Sequence, residues 1–187
     1  VATPPEVTPG IVLDALRAGL DVLCEKPMAT TVEDGERVAA AAAASGRIVQ
    51  VGFKNRFSPL VVSLRRWIEE GLLGAPLALS FTVIDEPATD DRAHRDRIRH
   101  FLRHGPAFVH EGAHYADLLR YLSGREPTSV TAVGVRSDDA HPSENYVCAL
   151  VRLAGGGAGR IEIGWLFAAA PSPTLRVLGP LGLAEVD

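Results

Sequence analysis

Apolar positions in the first third of the chain follow two alternating periods. The stretch TPGIVLDALRAG at 8–19 carries apolar residues three or four positions apart, which predicts an amphipathic helix. The residues of its apolar face are Ile11, Val12, Ala15 and Leu16. Thr8 is the predicted N-cap, with Pro9 at the first helical position and Gly19 beyond the last turn. The apolar run LDVLC at 20–24 follows as a short predicted strand.

The same alternation is repeated once more. Residues 30–46 predict a second helix, with Thr31 as N-cap, acidic residues in the first turn and Gly46 at the end. The run RIVQVGF at 47–53 predicts another strand. Strands and helices that alternate with short connections indicate right-handed crossovers and a parallel sheet.

From residue 54 the pattern changes to α+β. An amphipathic helix is predicted at 58–74 and a long alternating strand at 75–86. The stretch at 107–124 has a helical part that carries Leu118, Leu119 and Leu122 and ends at Gly124. Further strands are predicted at 128–136, 145–154, 159–167 and 174–180. GGGAG at 155–159 is typical of a hairpin turn, and the closing LGPLGLAEVD indicates a further hairpin and strand. We therefore predict a domain at 1–53 with a parallel sheet and a domain at 54–187 with a mostly antiparallel sheet.

Composition narrows the function classes. The 187 residues are 47% hydrophobic and 22% charged, with net charge −4, so no global basic field attracts nucleic acid or an anionic membrane. No apolar run reaches the roughly 20 residues that span a bilayer. Cys24 and Cys148 lie far apart, which favours reduced thiols in a cytoplasmic protein. The chain opens on VATPPE without an initiator methionine, and we expect it to be an excerpt of a longer protein.

The stretch LCEKPMATT presents Glu25 and Lys26 directly after a predicted strand, and Pro27 fixes the backbone direction there. Ligands of open parallel sheets bind outside the carboxyl ends of the strands, where a lysine can exchange protons with a substrate hydroxyl. The alternative is a solvated ion pair at a strand terminus, and spacing alone leaves both open.

Three blocks in order, VATPPEVTPGIVLDALRAGLDVLCEKPMATT, VGFKNRFSP and GPAFVHEGAHYADLLRYLSG, resemble the Gfo/Idh/MocA oxidoreductases along essentially the whole chain. The resemblance implies the C-terminal part of a Rossmann-type domain, followed by an α/β domain with an open sheet. It implies NAD or NADP as cofactor, and an open sheet that makes a homo-oligomer interface. The implied cofactor-binding residues are Thr3, Pro4, Glu25, Lys26 and Pro27.

The resemblance also assigns catalytic and substrate roles. Lys26 would orient the substrate and take part in proton transfer, and the GFKNRF loop would bring Asn55 and Arg56 to the substrate. The family block D-x-G-x-H, followed three residues later by aspartate, falls on His114 and Asp117. His114 would be the general acid/base and Asp117 a substrate-binding residue. His110 stands where the family has aspartate, and an imidazole there would alter the proton relay or the substrate preference.

HEGAH also matches the zinc motif H-E-x-x-H. A zinc hydrolase needs the motif inside a helix and a third ligand downstream. Gly112 costs a helix about 1 kcal/mol, the preceding GPAF does not suggest the body of a helix, and no third-ligand pattern follows. We therefore predict no metal.

The segment DDRAHRDRIRHFLRHG at 90–105 carries five arginines and three histidines. It could hold an anionic substrate, or bind nucleic acid, although interleaved aromatics are nearly absent. The third reading, which we favour, is a solvated helix or loop partnered by its own aspartates.

The predicted function is hydride transfer between NAD(P) and a secondary alcohol of a sugar, inositol or related polyol. A non-catalytic sugar- or nucleotide-binding relative is the alternative, supported by the histidine at 110. The G-x-G-x-x-G turn that binds the cofactor pyrophosphate is absent from these residues. We therefore expect the 187-residue piece to bind cofactor poorly.

Overall fold

The computed structural model describes residues 1–168 and 173–186. The chain divides into two compact units, Val1–Phe53 and Lys54–Asp187. None of the helices within the described residues is both long enough and apolar enough to cross a membrane. Cys24 and Cys148 are free thiols, as predicted.

The first unit is a small α/β body. Its elements are α1 Thr8–Arg17, β1 Val22–Cys24, α2 Val32–Ser45 and β2 Val49–Val51. Strands β1 and β2 are parallel, with Val22 opposite Val49, as the alternating pattern predicts. Thr31 caps α2 by accepting a hydrogen bond from the Asp34 amide at 3.2 Å.

Two predictions for α1 are wrong. Val7 is the N-cap, and Thr8 is the first helical residue. The Thr8 hydroxyl is buried and donates back to the carbonyl of Pro4 at 3.1 Å, so it is unable to cap the helix. Ile11 is 40% exposed, and Leu13 lies in the core in its place, together with Val12 and Leu16.

The second unit is an α+β domain. Its elements are a 3₁₀ turn Lys54–Phe57, α3 Pro59–Glu69, β3 Ala78–Asp85, α4 Arg92–Leu102, a π-helix Phe108–Gly112, α5 Ala113–Ser123, β4 Pro127–Val135, β5 Tyr146–Leu153, β6 Ala158–Trp165, β7 Thr174–Gly179 and β8 Gly182–Val186. The strands form one sheet in the order β4-β5-β6-β3-β7-β8. Every neighbouring pair is antiparallel except β3 and β6, which are parallel, so the predicted mostly antiparallel sheet is confirmed.

The two faces of this sheet differ. One face packs on the helices around Phe81, Ile161 and Ile163, all at most 1% exposed, with the leucines of α5 against them. The other face is open. It carries exposed apolar residues, Val133 and Leu150 among them, beside a polar cluster around Glu162.

Candidate functional site

The first unit gathers the predicted cofactor residues at one edge. Val1 lies beside β1: its amino group donates to the Leu23 carbonyl at 2.6 Å, and its carbonyl accepts from the Glu25 amide at 2.9 Å. This is the bonding pattern of parallel neighbours, so the chain after Val1 runs in the same direction as β1. Thr3 and Pro4 therefore follow at the edge where β1 and β2 end. In parallel sheets that edge is the ligand side.

Glu25, Lys26 and Pro27 leave β1 at this edge. The Lys26 amide donates to the Glu25 carboxylate at 3.2 Å, and the Lys26–Pro27 peptide bond is cis. Gly52, directly after β2, donates its amide to the Cys24 carbonyl at 2.7 Å. A Cβ at Gly52 would lie 3.6 Å from the Glu25 carboxylate, so the carboxylate packs over the glycine backbone.

In the second unit the structure brings Arg56 and Asp117 together. Arg56 Nε donates to Asp117 Oδ2 at 2.7 Å, and Nη2 donates to Oδ1. The Asp117 side chain is 4% exposed and that of Arg56 is 37% exposed. The hydrogen bond to Asp117 raises the pKa of Arg56 further. Asp117 therefore orients Arg56, and the guanidinium edge that faces solvent is the part that can meet a ligand.

The same arginine lies on an aromatic ring that sequence reasoning missed. Arg56 and Arg65 each place their guanidinium carbon about 5 Å from the Tyr121 ring centroid, at 5.0 and 5.1 Å. Such cation–π contacts stabilise the two side chains by about 0.5–1 kcal/mol each. Tyr121 sits one helical turn after Asp117 on α5, and that i, i+4 spacing was the available signal.

Asn55 lines a cavity of about 230 Å³ together with Tyr115 and Leu118 of α5. Burial raises the pKa of Tyr115 to about 12, with smaller contributions from Glu111 and Asp85, so its hydroxyl stays protonated as a hydrogen-bond donor. Asn55 and Tyr115 are thus polar groups in a mostly apolar recess, an arrangement typical of small-ligand sites.

His110 and His114 are both buried, at 4% and 3% exposure. His110 Nε2 lies 2.9 Å from the Phe101 carbonyl, and its ring stacks on Trp165 with centroids 5.7 Å apart. A carbonyl oxygen accepts only, so His110 Nε2 carries the proton of this bond. His114 is the second residue of α5, three positions before Asp117.

The HEGAH motif lies inside a helix, contrary to our sequence-based reasoning. Phe108–Gly112 is π-helical and runs directly into α5. The glycine is required by packing: a Cβ at Gly112 would lie 2.8 Å from the Phe108 ring. Within the described chain, the groups of three or more potential metal ligands include neither His110 nor His114.

The arginine-rich segment forms the helix α4. Asp91 caps it through the Ala93 amide at 2.9 Å, Arg92 pairs with Asp96 at 3.4 Å, and Arg97 pairs with Glu86 at 2.7 Å. Arg92 therefore pairs with one of the segment's own aspartates, as the solvated-helix interpretation predicts, whereas the partner of Arg97 is a glutamate outside the segment.

Comparison with known proteins agrees with both units. Residues 1–53 match the oxidoreductase family domain with an NAD-binding Rossmann fold, and residues 61–185 match the GFO/IDH/MocA C-terminal domain. The chain belongs to the Gfo/Idh/MocA family. These matches confirm the predicted fold class, a Rossmann-type domain followed by an α/β domain with an open sheet.

Among its relatives, the rhizopine catabolism protein MocA of Rhizobium meliloti is 32% identical over 99% of this chain and 57% of its own length. Inositol 2-dehydrogenase 1 of Saccharopolyspora erythraea is 32% identical over 73% of this chain and 38% of its own length. The WlbA dehydrogenase of Bordetella pertussis, solved with NADH and UDP-GlcNAcA, aligns with TM-score 0.86 and 28% identity over 98% of this chain and 56% of its own. The chain thus covers between 38% and 57% of the length of these proteins.

The residues at the β1–β2 edge fit one end of the Gfo/Idh/MocA cofactor. A carboxylate over Gly52, a neighbouring lysine and the Thr3 hydroxyl can hold the ribose and nicotinamide by hydrogen bonds. The G-x-G-x-x-G turn for the pyrophosphate does not occur in the sequence.

Proposed function

We propose that this chain supplies the substrate-side half of an NAD(P)-dependent dehydrogenase that acts on a secondary alcohol. The observation that carries the proposal is the β1–β2 edge, where Glu25–Pro27 and Thr3–Pro4 meet at the ligand side of an NAD-binding-type domain. When bound, the nicotinamide supplies hydride transfer at its C4 atom.

The chain's own residues would handle the proton and the orientation. Lys26 Nζ would donate a hydrogen bond to the reacting hydroxyl oxygen and exchange its proton, with His114 as the general acid/base. His110 stays a candidate for the proton relay, and Thr3, Pro4, Glu25 and Pro27 for cofactor contacts. Arg56, held by Asp117, and Asn55 would orient the substrate hydroxyls.

A polyol or sugar is the proposed substrate, supported by the inositol dehydrogenase and WlbA relatives. Neutral polyols need hydrogen-bonding groups, which Asn55, Tyr115 and Arg56 offer within one unit. We propose the cytoplasm as compartment, on the basis of the two free thiols.

Substitutions of the catalytic candidates test the proposal in the intact gene product. We expect Lys26→Ala and His114→Ala each to lower kcat/KM by about 10²–10⁴-fold, with the cofactor Kd nearly unchanged. Lys26→Arg keeps the charge but cannot release a proton, so it should fail similarly. Arg37→Ala, an exposed cation of α2, is the matched control. Unchanged turnover in both alanine variants would refute the assignment.

Calorimetry with NADH and NADPH tests whether the 187-residue chain binds the cofactor weakly. We expect weak binding to the 187-residue chain, because its sequence lacks the pyrophosphate turn. Tight binding would contradict this. Substrate-screened absorbance of the reduced nicotinamide, with binding measured in parallel, separates an enzyme from a non-catalytic binder.

We also propose that the open sheet face makes a homo-oligomer. Val133 is 63% and Leu150 is 58% exposed on this face, and large exposed apolar patches mark interaction sites. Leu150→Glu should shift the mass in light scattering toward the monomer. Leu20→Glu, an exposed leucine of the first unit, is the control.

A further inference from the structure

A cavity of about 560 Å³ opens within the second unit, at the end of the sheet where β5 turns into β6. Its walls come from the ends of α3 and α5 with the residues that follow them, the segment before β3, the end of β5 and the glycines at 155 and 156. The lining residues used below are Ile68, Ala75, Pro76, Leu77, Ser123, Arg125, Leu153, Gly155 and Gly156. The volume suits a small organic molecule.

Arg125 gives the cavity a positive charge that the described residues do not neutralise. The neighbouring carboxylate, Glu126, is engaged by Arg120 through Nε at 2.9 Å and Nη2 at 2.7 Å. Glu69 at the end of α3 pairs with Arg65 at 2.6 Å. No carboxylate lines the cavity in the described part of the chain, and none lies within 4.0 Å of Arg125 there.

The position of Arg125 is set by its surroundings. Ser123 Oγ donates to the Leu119 carbonyl at 2.6 Å and accepts from the Arg125 amide at 3.2 Å, which fixes the backbone beyond α5. The guanidinium lies over Gly155: a Cβ there would be 2.7 Å from Nη1, and Gly155 has φ +71°. A glycine is therefore favoured at the turn by its positive φ, and the guanidinium lies close above it.

Another part of the cavity wall is apolar. Ile68, Leu77 and Leu153 belong to or border the hydrophobic core, and Pro76 adds a rigid ring. Inorganic anions gain nothing from such a wall, whereas an organic anion buries its hydrocarbon part against it. A cavity with one cation beside an apolar wall therefore favours an anion that also has an apolar part.

We propose that this cavity binds a small organic carboxylate with an apolar body, with Arg125 as its anion partner. The geometry of a guanidinium suits two-point contact with a carboxylate. The site lies at the C-terminal end of α5, whereas His114 lies in its first turn, about 14 Å away at 1.5 Å per residue. Within the second unit it is therefore separate from His114. If Arg125 only complements the partial negative charge at the end of α5, no anion binds.

Nuclear magnetic resonance of the ¹⁵N-labelled 187-residue chain tests the site, with benzoate as probe and benzamide as its uncharged counterpart. We expect benzoate to shift the Gly155 and Gly156 amides and Arg125 Nε. Benzamide should bind at least about tenfold more weakly, the factor that a charged hydrogen-bond pair contributes. Equal responses to both probes, or none to benzoate, would overturn the proposal.

Two variants sharpen the test. Arg125→Gln should weaken benzoate by about tenfold or more, while Arg152→Gln, on the opposite face of β5, should not. Ala75→Leu places a larger side chain at the exposed rim of the cavity and should also weaken benzoate. The spectra of the free variants show whether each is folded. A folded Arg125→Gln variant that binds benzoate as the parent does would overturn the proposal.

Discussion

Arg56 and Asp117 are joined by two hydrogen bonds between guanidinium and carboxylate, although 61 positions separate them along the chain. The pair ties the 3₁₀ turn that carries Asn55 to the helix that carries His114. The two side chains differ in exposure: the carboxylate is nearly buried, and the guanidinium is partly in water.

This difference in exposure predicts that substituting Arg56 and substituting Asp117 lower the free energy of unfolding by different amounts. Arg56→Ala leaves a buried carboxylate without its cation and should lower the free energy of unfolding by about 3 kcal/mol. Asp117→Asn leaves an arginine that can turn to solvent, so its cost should be nearer 1 kcal/mol. Urea unfolding of both variants measures the difference.

The double variant completes the cycle. Arg56→Ala with Asp117→Asn should be more stable than Arg56→Ala alone, since the buried charge is gone. If the two single changes cost the same and add, the pair does not act as the structure indicates. Arg17→Ala, which breaks an exposed pair with Asp14, is the control and should cost under about 1 kcal/mol.

Gly112 should not tolerate a methyl group. Its Cβ would lie 2.8 Å from the Phe108 ring, so Gly112→Ala should cost about 1–3 kcal/mol through overpacking. Gly35→Ala in α2 meets nothing within 4 Å and should instead stabilise by up to about 1 kcal/mol. Thermal unfolding of the two variants gives the signs, and a stabilised Gly112→Ala would contradict the close contact.

Tyr146 should make the fold sensitive to alkali. Its hydroxyl donates to Glu162 Oε1 at 2.6 Å, and this bond, with burial next, raises its pKa from 10.0 to about 12. The unfolded chain therefore releases the proton first, and stability should fall as pH rises from 10 toward 12. Tyr146→Phe should flatten that slope in pH-dependent urea unfolding, with Tyr115 accounting for what remains.

His141 should make the stability of the fold sensitive to acid. Burial lowers its pKa below the ordinary 6.5, and Arg99 of α4 adds to this, while Asp138 opposes it. The unfolded chain then binds a proton more readily, so stability should be complete above 6.5 and decline as pH falls below it. His141→Gln should reduce the decline, and an unchanged acid slope would contradict the role of this imidazole.

Much of the fold could be predicted from the spacing of apolar residues and from the residues that begin and end helices. Gly46 and Gly124 end their helices in the left-handed conformation, and Thr31 caps α2, because these are local events. Local rules failed where a distant contact decided. Thr8 turns back to Pro4, and β3 pairs with β6 in parallel although paired residues are 80 positions apart in the chain, from Ala78 opposite Ala158 to Asp85 opposite Trp165.

In the candidate site too, local features could be predicted from the sequence and distant contacts could not. A strand end followed by Glu25 and Lys26 can be read from the sequence, and the structure adds Val1 and Gly52 beside them. The pairing of Arg56 with Asp117 could not be read, since no periodicity links a turn to a helix across the chain. The environment of His110 was equally hidden, because Phe101 and Trp165 reach it from two other elements.

The π-helical segment has a consequence for comparing sequences. A π turn accommodates one residue more than an α turn, with bonds from i to i+5. Deleting Val109 would let ordinary helix run into α5, but would rotate the preceding residues by about 100° about the axis. Phe108 and the residue aligned with it in a relative without this turn would then point to different sides of the helix. An ungapped alignment across this segment compares residues that are not structural equivalents.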